Sequence, residues 1–356
     1  MSIDDLNQHI HHGFPYQDGV LDGADLTGVT FVGGTVLRTS FKAASLHAQS
    51  VSNMIFLGCE FAETDFSGAA VKRCSFIDCR FPETNWQAVV LNETSFVQCE
   101  FARADFSSAT FNKASFVGCS LAGAVLRRAS IEKTALLQCN VAGIDLTEAQ
   151  LVSSMISDAD LREAKIDGLS CRKALLMGCN LAGRDLRSLA LPETTLMQSD
   201  LSETNLAGAD ISRSNLLGAR LIGADLTAAI AVNTLFYKAD LRAAKMTRAN
   251  LSSAILQEAA LAMADLSDTN LDMAILSAAD AKGANFAGAS LLYARLDRAA
   301  LDGADLSAVR FLLTDFHLAS HDGAKFAGSS GSTNGTNPEL AVAQLYNPNR
   351  VTPFSG

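Results

Sequence analysis

From Leu21 to Phe326 an apolar side chain returns every five residues, through 62 positions without an insertion or deletion. All but Cys171, Ala231, Ala281 and His321 are Leu, Ile, Val, Phe, Met or Trp. Two residues before each stands a small residue, usually Ala, Cys, Thr or Ser, and between them Asp, Asn, Ser or Thr is frequent. Ala24-Asp25-Leu26, Ala224-Asp225-Leu226, Ala264-Asp265-Leu266 and Ala304-Asp305-Leu306 are clean units. A period of five cannot hold one face of an α-helix, nor alternate across a flat strand. It points to a solenoid, whose turns bury their apolar side only by stacking on neighbours.

This A(D/N)LXX pattern resembles the pentapeptide-repeat proteins, over about six-sevenths of the chain. The resemblance implies an all-β solenoid, a right-handed quadrilateral β-helix of about 15 coils at four pentapeptides per coil, with short N- and C-terminal capping segments. Central residues and the small residues two before them then point inward, and the other three positions face solvent. Two side chains per unit share a narrow interior, so a large central residue requires a small companion. Central residues are mainly Phe from Phe41 to Phe116 and mainly Leu after Leu121, so a change in core width is expected near residue 120. Gln49 and Arg184 break the small-residue rule. For Arg184 the expectation is a side chain bent outward at a corner, or a packed stem with its guanidinium in water.

Three segments follow from the register. Residues 1–20 read as an entry and cap segment, in which Ile3, Leu6 and Ile10 have helical spacing. Residues 21–328 are the repeat array. Residues 329–356 read as a flexible Ser/Gly linker, Ser329–Asn337, then a short helix and tail. Asn337 suits a helix N-cap, Pro338 its first position and Glu339 its first turn. This segment could cap its own rod, dock on a partner, or form a homodimer.

Seven of the eight cysteines, all but Cys171, occupy the small inward position, and Cys171 is central. They read as reduced core thiols rather than as disulfides or a metal site. No stretch approaches 18 uninterrupted apolar residues, and Met1–Val20 has neither a basic n-region nor an apolar h-region. A cytoplasmic bacterial protein with no membrane contact is the expectation.

Asp recurs before the central residue at Asp25, Asp65, Asp105, Asp145, Asp185, Asp225, Asp265 and Asp305, every 40 residues. Between them on the same wall stand Ser45, Asn85, Val125, Lys165, Asn205, Lys245, Asn285 and Lys325, none of them acidic. Alternation keeps like charges from stacking at neighbouring-strand distance. Naming each wall by its first central residue, the Leu21 wall carries 13 acids and 7 bases and the Leu26 wall 11 and 7. The Phe31 wall carries 5 and 8, and the Val36 wall 5 and 4. These eight Asp, with Leu340, Leu345 and Tyr346 of the tail, are the candidate partner contacts.

No G-x-x-x-x-G-K-[ST], C-x-x-C, H-E-x-x-H or G-x-S-x-G motif occurs. A unique active site should interrupt a repeat, and no insertion does. The expectation is no enzyme, no cofactor and no direct nucleic-acid contact. A rod-like scaffold or adaptor for unidentified protein partners fits first. The resemblance supplies two alternatives: a DNA mimic that binds and protects DNA gyrase or topoisomerase IV, and an accessory protein of a bacterial secretion system.

Overall fold

The computed structural model describes residues 3–345. The chain is an all-β parallel solenoid of about 16 turns with very little helix. Pairing joins residues 20 apart, as in Ile131 with Leu151 and Asp265 with Asn285, except for Thr314 with Thr333 and Asp315 with Asn334 in the last strand, which are 19 apart. Four five-residue units therefore close one coil. Central residues and their companions fill the interior, nearly all of them buried.

The backbone turns each corner in one of two ways. On the Leu21 and Leu26 walls each unit is a tight turn, as in Ala44 N–H donating to Phe41 O at 3.0 Å. On the Phe31 and Val36 walls units between Ser50 and Met177 are extended three-residue strands, such as Ser75–Ile77 and Val90–Asn92. From Ala190 the Phe31 and Val36 walls also adopt tight turns, until strands Ser290–Leu292, Arg310–Asp315 and Ser330–Asn334 close the rod. The residue two after the centre takes a left-handed φ, near 58° at Glu63 and 61° at Met263.

Aromatic centres stack at the strand spacing. Phe41, Phe61, Phe81 and Phe101 form one column, with ring centroids 4.8–4.9 Å apart. Phe56, Phe76, Phe96 and Phe116 form a second, and Phe66, Trp86 and Phe106 a third. Where Phe gives way to Leu, an apolar cavity of about 10 Å³ lies between Phe116 and Leu136. The core does change there, as expected near residue 120. The backbone change comes later, between Met177 and Ala190.

Helix α1 (Ile3–His12) covers the first coil with Leu6 and Ile10 buried and Ile3 packed beside them. The coils begin at Tyr16, which pairs with Val36, one unit before Leu21. A Cβ at Gly19 would meet the Tyr16 ring at 2.5 Å, so that turn requires glycine. At the far end, residues 330–334 differ from the linker read from their composition. They pair as a strand with Arg310–Asp315, with a register shift between Phe311 and Thr314. Backbone groups make most of this ladder, with Leu313 N–H donating to Ser332 Oγ at 3.1 Å, so a Ser/Gly sequence suffices. A Cβ on Gly331 would lie 1.8 Å from the Phe311 carbonyl oxygen. Helix α2 (Pro338–Leu345) starts as its sequence indicates, with Leu340 N–H donating to Asn337 Oδ1 at 3.1 Å.

Candidate interaction surfaces

All eight Asp of the 40-residue repeat lie on the Leu26 wall, two coils apart. Each accepts the N–H of the residue two further on, at 2.8–3.1 Å: Thr27, Ser67, Ser107, Thr147, Arg187, Thr227, Ser267 and Ser307. This is an Asx turn, which satisfies a corner N–H within one unit. The intervening residues supply donors. Asn85 and Asn285 bond Asp65 and Asp265 at 3.0 Å, and Lys325 lies 3.4 Å from Asp305. Acceptor and donor thus alternate over part of the wall only, since Val125 has no side-chain donor. The sequence signal was the Ser or Thr that follows Asp by two residues at seven of the eight positions.

These bonds hold several carboxyls in the ionised form. The Arg187 guanidinium, bonded at 2.6 Å, lowers Asp185 to about 2, helped by the Arg187 N–H. Thr27 lowers Asp25 and Thr227 lowers Asp225. At Asp145 desolvation pushes upward, but Thr147 and Arg127 outweigh it. Its side chain is only 4% exposed and Arg127 Nε lies at 2.7 Å. The Asp do not converge on one place. Leu340 is exposed on α2, Leu345 ends that helix, and Tyr346 lies outside the described residues.

The two exceptional inward residues use one device. Gln49 Nε2 donates to Thr27 O at 2.7 Å, and Arg184 Nη1 to Arg162 O at 2.9 Å. Both carbonyls lie 22 residues earlier. Arg184 Nη2 also donates to Ala164 O at 2.7 Å, the carbonyl that Asp185 N–H would take in a regular coil. Its Nε is buried without a partner. Arg184 is half-buried: its Nη1 bond lies at the exposed surface and its Nη2 bond farther in. It inserts into the ladder. Among the described residues, the bridges Asn140–Asp160, Lys165–Asp185 and Ala190–Asp210 required by the 20-residue register do not form. Leu169 is the companion of the small central Cys171, inverting the usual size order, and one coil on Leu189 is the companion of Leu191.

All eight cysteines are buried free thiols. Cys59, Cys79, Cys99, Cys119 and Cys139 climb one corner, each Sγ donating to a backbone carbonyl of the coil before it at 3.4–3.5 Å. Burial raises Cys74 and Cys179 to about 11 and Cys171 to about 12. Among the described residues no group of three His, Cys, Asp or Glu could hold a metal ion, and no helix is long and apolar enough to cross a membrane.

The fold and its walls define a four-sided parallel β-helix built from five-residue units. Comparison with known families agrees. A pentapeptide repeat region matches residues 49–124 and 89–169, and pentapeptide repeats match 193–227, 234–272 and 274–307. The chain belongs to the pentapeptide-repeat family. The matched segments leave out 170–192, where the ladder is interrupted. No curated protein matches. Similar solved structures include HetL of the cyanobacterium Nostoc, a pentapeptide repeat protein involved in heterocyst differentiation regulation. It has 21% identity over 85% of this chain and 96% of that one, with a TM-score of 0.22. QnrB1, a plasmid-mediated fluoroquinolone resistance protein, has 17% identity over 51% and 93%, with a TM-score of 0.29.

Proposed function

We propose that this protein is a non-catalytic, rod-like scaffold that binds protein partners along its acidic walls. The observation that carries this reading is the division of the surface into walls of different charge along one stack of coils. The Leu21 and Leu26 walls together hold 24 acids against 14 bases, a net of −10. The repeated Asp brace corners, so the partner contacts are the acids projecting beyond them, such as Glu63, Glu83 and Glu203 at the left-handed positions. A partner with a basic face fits such a wall, and the extended field steers it on. Affinity capture from the native host with wild type and a Glu63→Lys, Glu83→Lys, Glu203→Lys variant tests this. The variant should lose a partner that the wild type retains while keeping its melting temperature. If both retain the same proteins, the acidic walls are not the contact.

The same acidity favours the gyrase-binding alternative, because a duplex mimic also needs long anionic walls. Intermolecular use of those charges competes with neutralisation inside the rod, as in Arg103–Glu83, Arg128–Glu148 and Lys113–Glu93. A supercoiling assay with and without a quinolone separates the readings. Protection or inhibition of gyrase would replace the scaffold by the mimic.

A further inference from the structure

The Val36 wall is unlike the other three. Its residues immediately before and after each centre run from Thr35 and Leu37 to Ile275 and Ser277, two in each of 13 coils. None of those 26 outward residues is charged, and 17 are Val, Ile, Leu, Met, Ala or Tyr. Leu57, Ile77, Val97, Val117 and Leu137 stand in one column, joined by parallel in-register strands at 20-residue spacing. Ile55 is 44% exposed and Leu57 38%. The interior does not require these side chains, since the centres Phe56 to Phe116 already fill it.

With a coil spacing of about 4.8 Å and three residues of width, this face covers on the order of 600 Å² of uncharged surface, extended sheet as far as Met177 and tight turns beyond Ala190. About two-thirds of its residues are apolar, and the whole face approaches the roughly 800 Å² per partner of a stable interface. Flat sheets pack face to face at about 10 Å, and an uncharged face has no penalty for meeting itself.

The two long edges of the face differ in sign. Along the edge toward the Phe31 wall, the rows 32–272 and 33–273 hold 7 bases and 4 acids, a net of +3. Arg73, Lys113, Lys133, Lys173 and Arg213 are among them. Along the edge toward the Leu21 wall, the rows 38–278 and 40–280 hold 9 acids and 4 bases, a net of −5. A two-fold axis along the rod sets the basic edge of one copy against the acidic edge of the other. A two-fold axis across the rod sets like against like.

We infer that the Val36 wall is a self-association face on which two copies lie side by side and parallel, their α1 ends together. The contact is isologous and closes at two copies, as such contacts do. It borders the acidic Leu21 wall and shares the row from Glu60 to Asp280 with it, it is independent of any association through α2, and it leaves the opposite Leu26 wall outermost.

Sedimentation equilibrium of the full chain should give twice 37.6 kDa, and a single-chain mass throughout the micromolar range overturns the proposal. Val117→Lys with Leu137→Lys should weaken the dimer by about tenfold or more, because each buries an unpaired charge. Val117→Thr should keep it, and circular dichroism should be the same for all three. A second test avoids the face itself: Lys113→Glu with Lys133→Glu should weaken the dimer, and rising salt should weaken the wild-type dimer. A dimer strengthened by salt, or abolished by Leu340→Asp in α2, overturns the parallel Val36-wall pair. A monomer that floats with phosphatidylcholine vesicles also overturns it and assigns the face to lipid.

Discussion

Asp185 shows how one side chain holds a corner. Its carboxylate accepts both the Arg187 N–H and the Arg187 guanidinium. Its pKa falls from 3.8 to about 2 in the folded chain. A lowered carboxyl pKa contributes stability that is full above the unfolded value and is lost as pH falls through the folded value. Asp25, Asp145, Asp225, Asp265 and Asp305 are lowered in the same sense. Thermal melts should therefore be flat near neutrality and drop between about pH 4 and pH 2. Asp225→Asn keeps the turn acceptor and should shift stability little. Asp225→Ala removes it and should lower stability by about 1 kcal/mol, read from urea or thermal melts. Arg184 makes the opposite case. Arg184→Ala removes a buried unpartnered Nε and frees the Ala164 carbonyl for Asp185 N–H. That variant should melt at or above the wild-type temperature.

At the scale of the element, core size is set column by column. Phe81 stacks between Phe61 and Phe101, whereas Leu241 occupies the same column in a Leu-lined segment. Phe81→Leu should destabilise by about 1–2 kcal/mol through an unfilled cavity. Leu241→Phe should destabilise by about 1–3 kcal/mol through overpacking. Equal tolerance of both swaps would mean that the tube adjusts its width freely. The helix α1 has a separate role, sealing the open end of the first coil. Leu6 is fully buried, so Leu6→Asp should unseat the cap and speed hydrogen exchange first in Phe31–Leu37 and Ser50–Leu57.

Among the described residues the stack is regular except at the register shift near Phe311 and Thr314 and in one internal zone. Arg184, Leu169, Leu189 and Cys171 fall together there, the backbone changes from strands to tight turns, and three bridges are missing. A solenoid's stability is carried by nearest-neighbour interfaces, so an interrupted interface opens first. Amides in residues 160–168 and 182–190 should exchange faster than those of the coils at 100–120 and 240–260. A uniform exchange profile along the rod would contradict this weak joint.

Much of this was legible in the chain. The five-residue register pointed to a solenoid, and the family resemblance it carries implied a four-unit coil with every fifth residue and its companion inward. It placed the cysteines in the core, predicted a change near residue 120, and located helices α1 and α2 from helical spacing and the Asn337-Pro338-Glu339 start. It could not give the role of the repeated Asp. Their acceptors meet an N–H two residues away and a donor twenty away, and the second relation exists only once coils stack. Nor could composition show that Ser330–Asn334 continues the ladder, since that strand uses mainly backbone groups and one residue without a Cβ at Gly331. The sequence by itself determined the solenoid and its inward face, because burial follows a local period. Tertiary structure alone decided where the ladder breaks, which corners extend into strands, and which edges flank the uncharged Val36 wall, because each depends on contacts between coils.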